Sequence, residues 1–346
     1  MKKLMNDKLK EILQSIKIIS DSSYAFKGTV YYESRKVNYK KNNSLDDIIS
    51  ENTSILDLET LLYRIYHCRR NLINENNQYM KIYSDNRDFI NELSQNNSGT
   101  GMWESGWRIV KIENNGQIAA FKNDLTVWLN RQYFRLKHGD RGKLKVGKYG
   151  YVMMPKEFCH LLPGFYMVNG NELQEENNND ILVRLYWNIQ NSHSWMLVKL
   201  MSNYLNKLRV PFRFKILSYP IGYPRADAAV LYIHKEFYKK AENSLKNIYL
   251  EIKNFLNSFT PMFAKTMAPG LSLAEDPRNG ESFGLNRSRL LAQSLYSIQK
   301  ENVTSLEKMV EKIDLNFKKS NINIYYPFLN PSSIDDYSVF DSSVEM

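Results

Sequence analysis

The chain has 346 residues, 43% of them hydrophobic and 13% aromatic, which is enough to bury a substantial core. Its formal net charge of +10 favours anionic partners. The two cysteines, Cys68 and Cys159, exclude a disulfide-rich scaffold, and neither has the spacing of a metal site. No apolar run is long enough to span a membrane, so we expect a cytoplasmic protein that does not use a membrane as a partner.

The first part of the chain is predicted to begin with two helices. Apolar residues recur at helical spacing over residues 1–20, and residues 56–72 form a second helix with Asp57 as its N-cap. Residues 74–101 are polar and end in a surface loop. Residues 106–155 carry short apolar runs broken by glycine and asparagine, which predict a series of strands.

The pattern changes after a polar loop at residues 169–180. The elements predicted beyond it are, in chain order, a strand at 181–189, a helix at 194–208, strands at 210–220 and 228–234, and a helix at 235–259. A turn-rich segment, residues 265–290, then enters a helix at about Asn286, followed by another helix and an extended tail. This order predicts an α+β fold, in which a mixed or antiparallel sheet is flanked by helices.

No linker clearly divides the chain, and no internal repeat is present. We therefore predict one domain over residues 1–346. The alternative division is an N-terminal subdomain, residues 1–168, followed by a core of residues 169–346.

Each of the three predicted strands after residue 180 has a polar face, because side chains alternate along a strand. These faces carry Arg184, Tyr186, Asn188, Arg213, Lys215, Tyr232 and His234. They lack carboxylates, whereas an ordinary solvent-facing sheet, the alternative interpretation, usually mixes charges of both signs. Arginine suits phosphate, and a lysine crowded by arginines gives up its proton readily enough to act as a general base.

The turn-rich segment at residues 265–290 also carries features of an anion site. Its glycines allow close backbone approach, and the amides at the start of the following helix favour an anion. Arg287 and Arg289 fall in the first turn of that helix, where the helix dipole disfavours cations unless they face a ligand. Glu275 and Asp276 either neutralise neighbouring arginines or hold a peptide amide. A purely structural, salt-bridged loop is the alternative.

The other signals are weak. His67, His138, His160 and His193 have no metal-ligand spacing, and each is predicted to be structural or exposed. The chain has no Walker loop, no GxGxxG turn and no GxSxG elbow. The sequence therefore predicts neither a metal nor an organic cofactor.

Two segments resemble the HopA effector family, first known from type III secretion by plant pathogens. They are "PFRFKILSYPIGYPRADAAVLYI", residues 211–233, and "PMFAKTMAPGLSLAEDPRNGESFGLNR", residues 261–287. The resemblance covers about residues 180–330, extends upstream over residues 150–170, and is weak over the first hundred residues. Members of the family also occur beside peptide-modifying enzymes in biosynthesis clusters for lanthipeptides and thioamitides.

The family is more distantly similar to the phosphothreonine lyases of the OspF/SpvC effector class, which implies a lyase-like core in the C-terminal half. Those lyases carry a K-x-H strand, a helix, a strand with the catalytic lysine, and then an arginine and an LYI strand. By that likeness Lys215 is the base that removes the α-proton, and Arg184 takes the place of the first lysine. Arg225 and a late arginine, Arg287 by preference, hold the phosphate, and Tyr232 lines the site.

One departure concerns the general acid, because the lyases use a histidine where this chain has Tyr186. Tyr186, Tyr232 or His234 would substitute for it, or the phosphate leaves without protonation when several arginines hold it. The further contacts expected are with phosphate, from Arg213, Arg289 and Lys265, and with the substrate, from Asn188, Asp227, Glu275, Asp276 and Ser282.

The reaction that the resemblance implies is β-elimination of phosphate from phosphoserine or phosphothreonine in a precursor peptide, giving dehydroalanine or dehydrobutyrine in lanthipeptide-type biosynthesis. A separate Ser/Thr peptide kinase would supply the phosphate. The first alternative is a non-catalytic phosphopeptide-binding effector or kinase-partner module, since the expected histidine is missing. The second is a basic nucleic-acid binder, against which stands the lack of any known nucleic-acid motif.

Overall fold

The computed structural model describes residues 2–33, 54–70, 86–137, 142–174, 180–223 and 225–341. The helices of these ranges are α1 (Lys2–Ser15), α2 (Leu58–Leu62), α3 (Arg87–Asn96), α4 (Ser194–Lys207), α5 (Lys235–Ile252), α6 (Phe283–Lys300) and α7 (Leu306–Lys319). A single π-helical turn, Tyr63–His67, continues α2. Within the same ranges, no helix combines the length and the apolarity that crossing a bilayer requires.

The strands form three sheets, of which the first two precede residue 155. The four-stranded sheet, in spatial order, contains β1 (Ile16–Ser20), β2 (Ser23–Phe26), β3 (Thr29–Tyr32) and β4 (Ser54–Ile55). The five-stranded sheet contains β5 (Met102–Ile112), β6 (Ile118–Lys122), β7 (Leu125–Leu129), β8 (Phe134–Leu136) and β9 (Tyr149–Met154), in the order β7-β6-β5-β9-β8.

The third sheet is the centre of the molecule. Its strands are β10 (Glu157–Leu162), β11 (Phe165–Asn169), β12 (Leu182–Trp187), β13 (Arg213–Leu217), β14 (Ala229–His234), β15 (Lys265–Ala268) and β16 (Leu271–Glu275). They pair in the order β10-β11-β13-β14-β12-β16-β15, and every pair is antiparallel. The predicted α+β class, with an antiparallel sheet and flanking helices, is confirmed.

Two cores hold the described chain together. The larger one joins the central sheet to α1 and α2 as well as to the later helices, while the five-stranded sheet keeps a small core of its own. Since the first helices share the main core, they are packed with the C-terminal half. The division into subdomains at residue 168 stays a prediction.

Two predicted elements differ from the structure near the start of the chain. The first helix ends at Ser15, and Ile16–Ser20 forms a strand instead, because its isoleucines pair with β2 in a hairpin. Asp57 precedes α2 in extended conformation, but its side chain makes no capping hydrogen bond. Parts of two other predicted segments, residues 71–85 and 175–179, lie outside the described residues, as does His138.

The turn-rich segment after residue 264 also differs from its prediction. Its first half is a hairpin of the central sheet, formed by β15 and β16 and turned at Gly270, whose φ is +76°. All five residues of β16 are buried. The sequence therefore lacks the alternation of apolar and polar residues from which a strand is usually predicted. The next helix begins at Phe283, and Ser282 is its N-cap.

Candidate active site on the central sheet

Strand register places the predicted polar residues on one face of the central sheet. Arg184 lies directly opposite Tyr232, and Tyr232 lies opposite Arg213 on its other side. In the adjacent row, Tyr186 and Lys215 flank the same valine of β14. Directly opposed residues of antiparallel strands point to the same face, so all five side chains share it.

Lys215 stands half-buried between two aromatic rings. Its Nζ lies 4.6 Å from the ring centroid of Phe165 and 5.6 Å from that of Tyr232. Among the described residues, Lys215 has no carboxylate within ion-pair distance. Ring faces do not neutralise the charge of the ammonium group as a carboxylate would, so it is available to an incoming anion.

Arg184 is buried beside Lys215 and shares the ring of Tyr232 with it, its Cζ lying 5.2 Å from the ring centroid. Its Nε donates to Asp276 Oδ2 at 2.7 Å, and its Nη2 donates to the same oxygen and to the carbonyl of Glu281. Within the described ranges Nη1 makes no hydrogen bond. The guanidinium therefore keeps two N–H donors for a ligand.

Arg225 and Asp227 form a buried, two-pronged ion pair beside this face. Arg225 Nε donates to Oδ1 at 2.5 Å and Nη2 to Oδ2 at 2.6 Å, while the hydroxyl of Tyr63 donates to Oδ2 at 3.1 Å. Burial by itself would raise the pKa of Asp227, but Arg225, His67 and Lys215 hold it well below its usual range. Asp227 is therefore ionised, and its carboxylate fixes the orientation of the Arg225 guanidinium.

His67 reaches the same place from the π-helical turn that follows α2, a conformation often found at functional sites. Its side chain is 4% exposed, its Nε2 lies 3.7 Å from Asp227 Oδ2, and its ring meets Tyr186 edge-on at 5.2 Å. Its Nδ1 has no hydrogen-bond partner among the described residues. The sequence analysis left His67 out of the site. The available signal was "YRIYH", which sets Tyr63 and His67 one helical turn apart and stacks them.

Three cations lie near enough to His67 to influence the pKa of its imidazole. Burial lowers the pKa of His67 to about 4, a fall that Asp227 opposes. Arg225, Arg184 and Lys215 each lower the pKa further. Three cations from three different segments therefore act on one imidazole.

We expect His67 alone to make the protein about 2 kcal/mol less stable at pH 5 than at pH 7. In the unfolded chain this side chain gains a proton near pH 6.5, but in the folded chain only near pH 4. Protons therefore favour the unfolded state as the pH falls through this range. The measurement is urea unfolding at both pH values, for the wild-type protein and for His67→Gln. The same pH dependence in both proteins would contradict the expectation.

Gly284 owes its identity to His67. A Cβ at this position would lie 2.6 Å from Cγ and Cδ2 of the imidazole, closer than non-bonded carbon atoms approach. The glycine of "SFGLNR" therefore makes room for the histidine ring under α6. This contact joins two segments far apart in the chain, so the sequence pattern could not show it.

Arg287 is turned towards the C-terminal tail, residues 321–341. It is 1% exposed, and its Nε donates to the carbonyl of Pro327 at 2.7 Å while its Nη2 donates to that of Leu329 at 3.3 Å. Burial lowers its pKa to about 10. Its guanidinium thus fastens the tail to α6, although Tyr186 is near enough to affect it.

Glu275 and Lys265 also hold the tail. The fully buried carboxylate of Glu275 accepts hydrogen bonds from the backbone N–H of Asn330 and from the hydroxyls of Ser333 and Tyr337, at 2.6 to 2.8 Å. Lys265 Nζ pairs with an aspartate of the same tail at 2.7 Å. These two side chains, which were predicted to contact the substrate and its phosphate, therefore contact residues of the chain itself.

The remaining predicted residues lie around the edge of the face. Arg289 pairs with Glu281 at 2.6 Å, Ser282 accepts the N–H three residues on as the N-cap of α6, and Asn188 donates to a loop carbonyl at 2.9 Å. His234 ends β14, about 13 Å along the strand from the row of Lys215. In the part of the chain that the structure describes, no three His, Cys, Asp or Glu side chains are grouped to hold a metal.

Comparisons with known proteins bear on this region. Residues 159–329 match the model of the HopA1 effector protein family, a range that contains every predicted site residue but not His67. The effector protein from Pseudomonas syringae pv. tomato strain DC3000 is similar in structure, with a TM-score of 0.45 and 16% identity over 86% of this chain and 94% of that chain. The effector protein from Pseudomonas syringae pv. syringae strain 61 has a TM-score of 0.44 and 15% identity, over 72% and 82%. No curated protein matches the chain.

Proposed function

We propose, starting from the match of residues 159–329 to the HopA1 effector protein family, that this chain is a phosphoserine/phosphothreonine lyase acting on a phosphorylated peptide. The observation that carries the proposal is the grouping of three cations on one side of the central sheet. Lys215 and Arg184 share the ring of Tyr232, and Arg225 is joined to the same face through Asp227 and the His67 ring, which contacts Tyr186. Of these, only the lysine lacks an ion-pair partner within the described chain. A base and two phosphate-binding groups are what β-elimination of phosphate requires.

The proposed reaction begins when Lys215, as the neutral amine, takes the proton from Cα of the phosphorylated residue. The electrons of the Cα–H bond form the Cα=Cβ double bond, and the Cβ–O bond breaks with its electrons passing to the phosphate. The products are a dehydroalanine or dehydrobutyrine residue and inorganic phosphate. Lys215 becomes an ammonium ion, and its proton then passes to water or to the group that protonated the phosphate, which restores both the base and the acid.

The departing phosphate is assigned to Arg184 and Arg225. Each holds an aspartate through Nε and Nη2, which fixes the guanidinium plane and leaves Nη1 to donate to phosphate. Donors fixed before the reaction stabilise developing charge most effectively, because they do not reorganise during the step. The guanidinium of Arg287 is hydrogen-bonded to the C-terminal tail. We therefore propose that Arg287 positions α6 and does not bind the phosphate.

Tyr186 is the proton donor that this geometry favours among the three that the sequence left open. It lies in the row of Lys215, and its hydroxyl rests near Arg184 without a hydrogen bond of normal geometry to any described residue. Burial raises the pKa of this hydroxyl, so it carries a proton throughout the physiological range. Tyr232 lies one row away beneath the two cations, and His234 lies two rows away.

The proposed setting is peptide biosynthesis of the lanthipeptide type. The proposed site has a base and anion-binding groups, and its reaction consumes a phosphate ester. A separate kinase would therefore have to phosphorylate the precursor peptide. The precursor peptide and that kinase are the partners this proposal implies.

A second candidate, a non-catalytic phosphopeptide-binding module, is favoured by one observation. The two arginines beside Lys215 are already paired with Asp276 and Asp227, so an incoming phosphate competes with internal carboxylates. Arginines already neutralised by carboxylates stabilise the charge of a departing phosphate less than unpaired ones, which disfavours elimination. A module that only binds would also not need Lys215 as a base. Binding without turnover would distinguish it.

Mass spectrometry tests the proposal directly. The protein is incubated with phosphoserine and phosphothreonine peptides, among them the phosphorylated product of a precursor gene that neighbours this one. We expect the peptide to lose the mass of phosphoric acid. The dehydroalanine or dehydrobutyrine residue that remains should then react with an added thiol. Regeneration of the unmodified serine or threonine would mean hydrolysis and would overturn the proposal. An unchanged mass with measurable peptide binding would favour the second candidate.

A further inference from the structure

The five-stranded sheet, residues 102–154, has one face that its own core does not cover. Its inner face packs Trp107, Ile109, Ile118 and other apolar residues into a separate small core. Register places the side chains of the outer face together: Trp103, Arg108, Lys111, Trp128, Arg135 and Tyr149. We call these six residues the outer face.

The outer face combines exposed rings with cations. Trp128 is 54% exposed and Tyr149 is 55% exposed, and both lie among the exposed side chains of Arg108 and Lys111. Lys111 Nζ lies 5.7 Å from the ring centroid of Trp128. Two exposed rings on one sheet face, with cations between them, mark a candidate interaction surface.

The charge of this sheet is one-sided. Residues 102–154 contain ten lysines and arginines against four aspartates and glutamates, a net charge of +6 within a chain total of +10. Of the acidic residues that the structure describes here, Glu113 pairs with Lys111 at 2.7 Å, and Glu104 is turned to the other side, where it binds Lys122 and Trp107. Arg108 and Arg135 have no ion-pair partner among the described residues. The outer face is therefore complementary to an acidic partner.

The sheet stands apart from the candidate active site. Its core is separate from the main one, and among the described helices and strands none outside the sheet packs extensively on it. It also precedes residues 159–329, the range that matches the family model. A binding role here is thus distinct from the proposed chemistry and does not depend on it.

The position of Arg135 over the ring of Trp103 favours a polypeptide over a nucleic acid as the partner. The guanidinium of Arg135 lies 3.9 Å from the ring centroid of Trp103, so it occupies the face on which a base would stack. The edges of that guanidinium still present N–H donors, which suit carboxylates. Arg108 and Arg135 lie on the two sides of β9, about 10 Å apart between strands, within the span of an extended peptide.

We propose that the outer face of the five-stranded sheet binds an acidic polypeptide segment with apolar side chains. Arg108 and Arg135 take the carboxylates, and Trp128 and Tyr149 take the apolar groups. The segment lies extended across the strands, because Arg108 and Arg135 lie on different strands of the sheet.

The test uses fluorescence anisotropy of two labelled probes, a peptide rich in glutamate and leucine and an oligothymidine. The unmodified protein should bind the peptide, and Arg108→Glu with Arg135→Glu should weaken that binding at least about tenfold. The matched control, Lys240→Glu with Lys246→Glu, changes the net charge equally on the exposed side of α5 and should leave peptide affinity within about twofold.

Three results would overturn the proposal: no binding of the peptide, equal weakening by the control pair, or tighter binding of oligothymidine than of the peptide at the same salt concentration. Circular dichroism of both double variants checks that the fold is intact. The assay needs no turnover, so its result is separate from that of the proposed lyase reaction.

Discussion

Replacing Lys215 with methionine should reduce the rate of phosphate elimination by about 10²–10⁴-fold, the range that a general base contributes. Methionine keeps most of the apolar stem of lysine and removes the amine that takes the α-proton. The side chain is half-buried between rings and, within the described ranges, has no ion-pair partner, so the fold should survive the change. Single-turnover mass spectrometry of the phosphopeptide measures the effect.

Lys215→Arg is the matched control for this prediction. It keeps a positive charge on the same face, but a guanidinium does not lose its proton at physiological pH. The arginine variant should bind the phosphopeptide and fail to eliminate phosphate. Substantial elimination by either variant would remove Lys215 from the role of base. Loss of peptide binding by Lys215→Met alone would show a contact with phosphate, whereas loss by both variants would show a disturbed site.

Replacing Asp227 with alanine should lower the free energy of unfolding by about 3–5 kcal/mol, because it leaves Arg225 as a buried charge without its carboxylate. The ion pair is two-pronged, with bonds of 2.5 and 2.6 Å, and the aspartate side chain is 7% exposed. Tyr63 and His67 lose their common partner as well. Chemical denaturation at neutral pH measures the change.

The double variant Arg225→Leu with Asp227→Leu should be more stable than Asp227→Ala, since no buried charge is left unpaired. The contribution of Asp227 also has a pH window. Its pKa is depressed in the folded protein, so its stabilisation is complete above the unfolded value of about 4 and is lost progressively as the pH falls below it. A double variant as unstable as the single one would show that packing, not charge, sets the cost.

Strand alternation was sufficient to predict the shared face of the central sheet. Arg184, Lys215 and Tyr232 lie in adjacent rows because alternation is a local property, and register then aligns the strands. The helix predicted at 194–208 matches α4 within one residue, because its apolar residues repeat at helical spacing over several turns. The helix α5 begins at the predicted residue but ends at Ile252, seven residues before its predicted end. These elements depend mostly on near neighbours in the chain.

Contacts between distant segments were not predictable in the same way. His67 enters the site from an N-terminal turn, and Gly284 is needed only because that histidine lies against it. Glu275 was expected to hold substrate, but its partners are residues of the tail. Each of these contacts joins positions separated by tens to hundreds of residues, and no periodicity within either segment records the other.

The order of strands in the central sheet has a consequence for how fast the protein folds. β12 lies between β14 and β16, so it gains its two neighbours only after the chain has looped back twice, the second time from beyond α5. Each closure costs chain entropy before any hydrogen bond repays it. A sheet whose central pairings are this non-local folds more slowly than a helical protein of equal size, and its edges stay open to mispairing in the meantime.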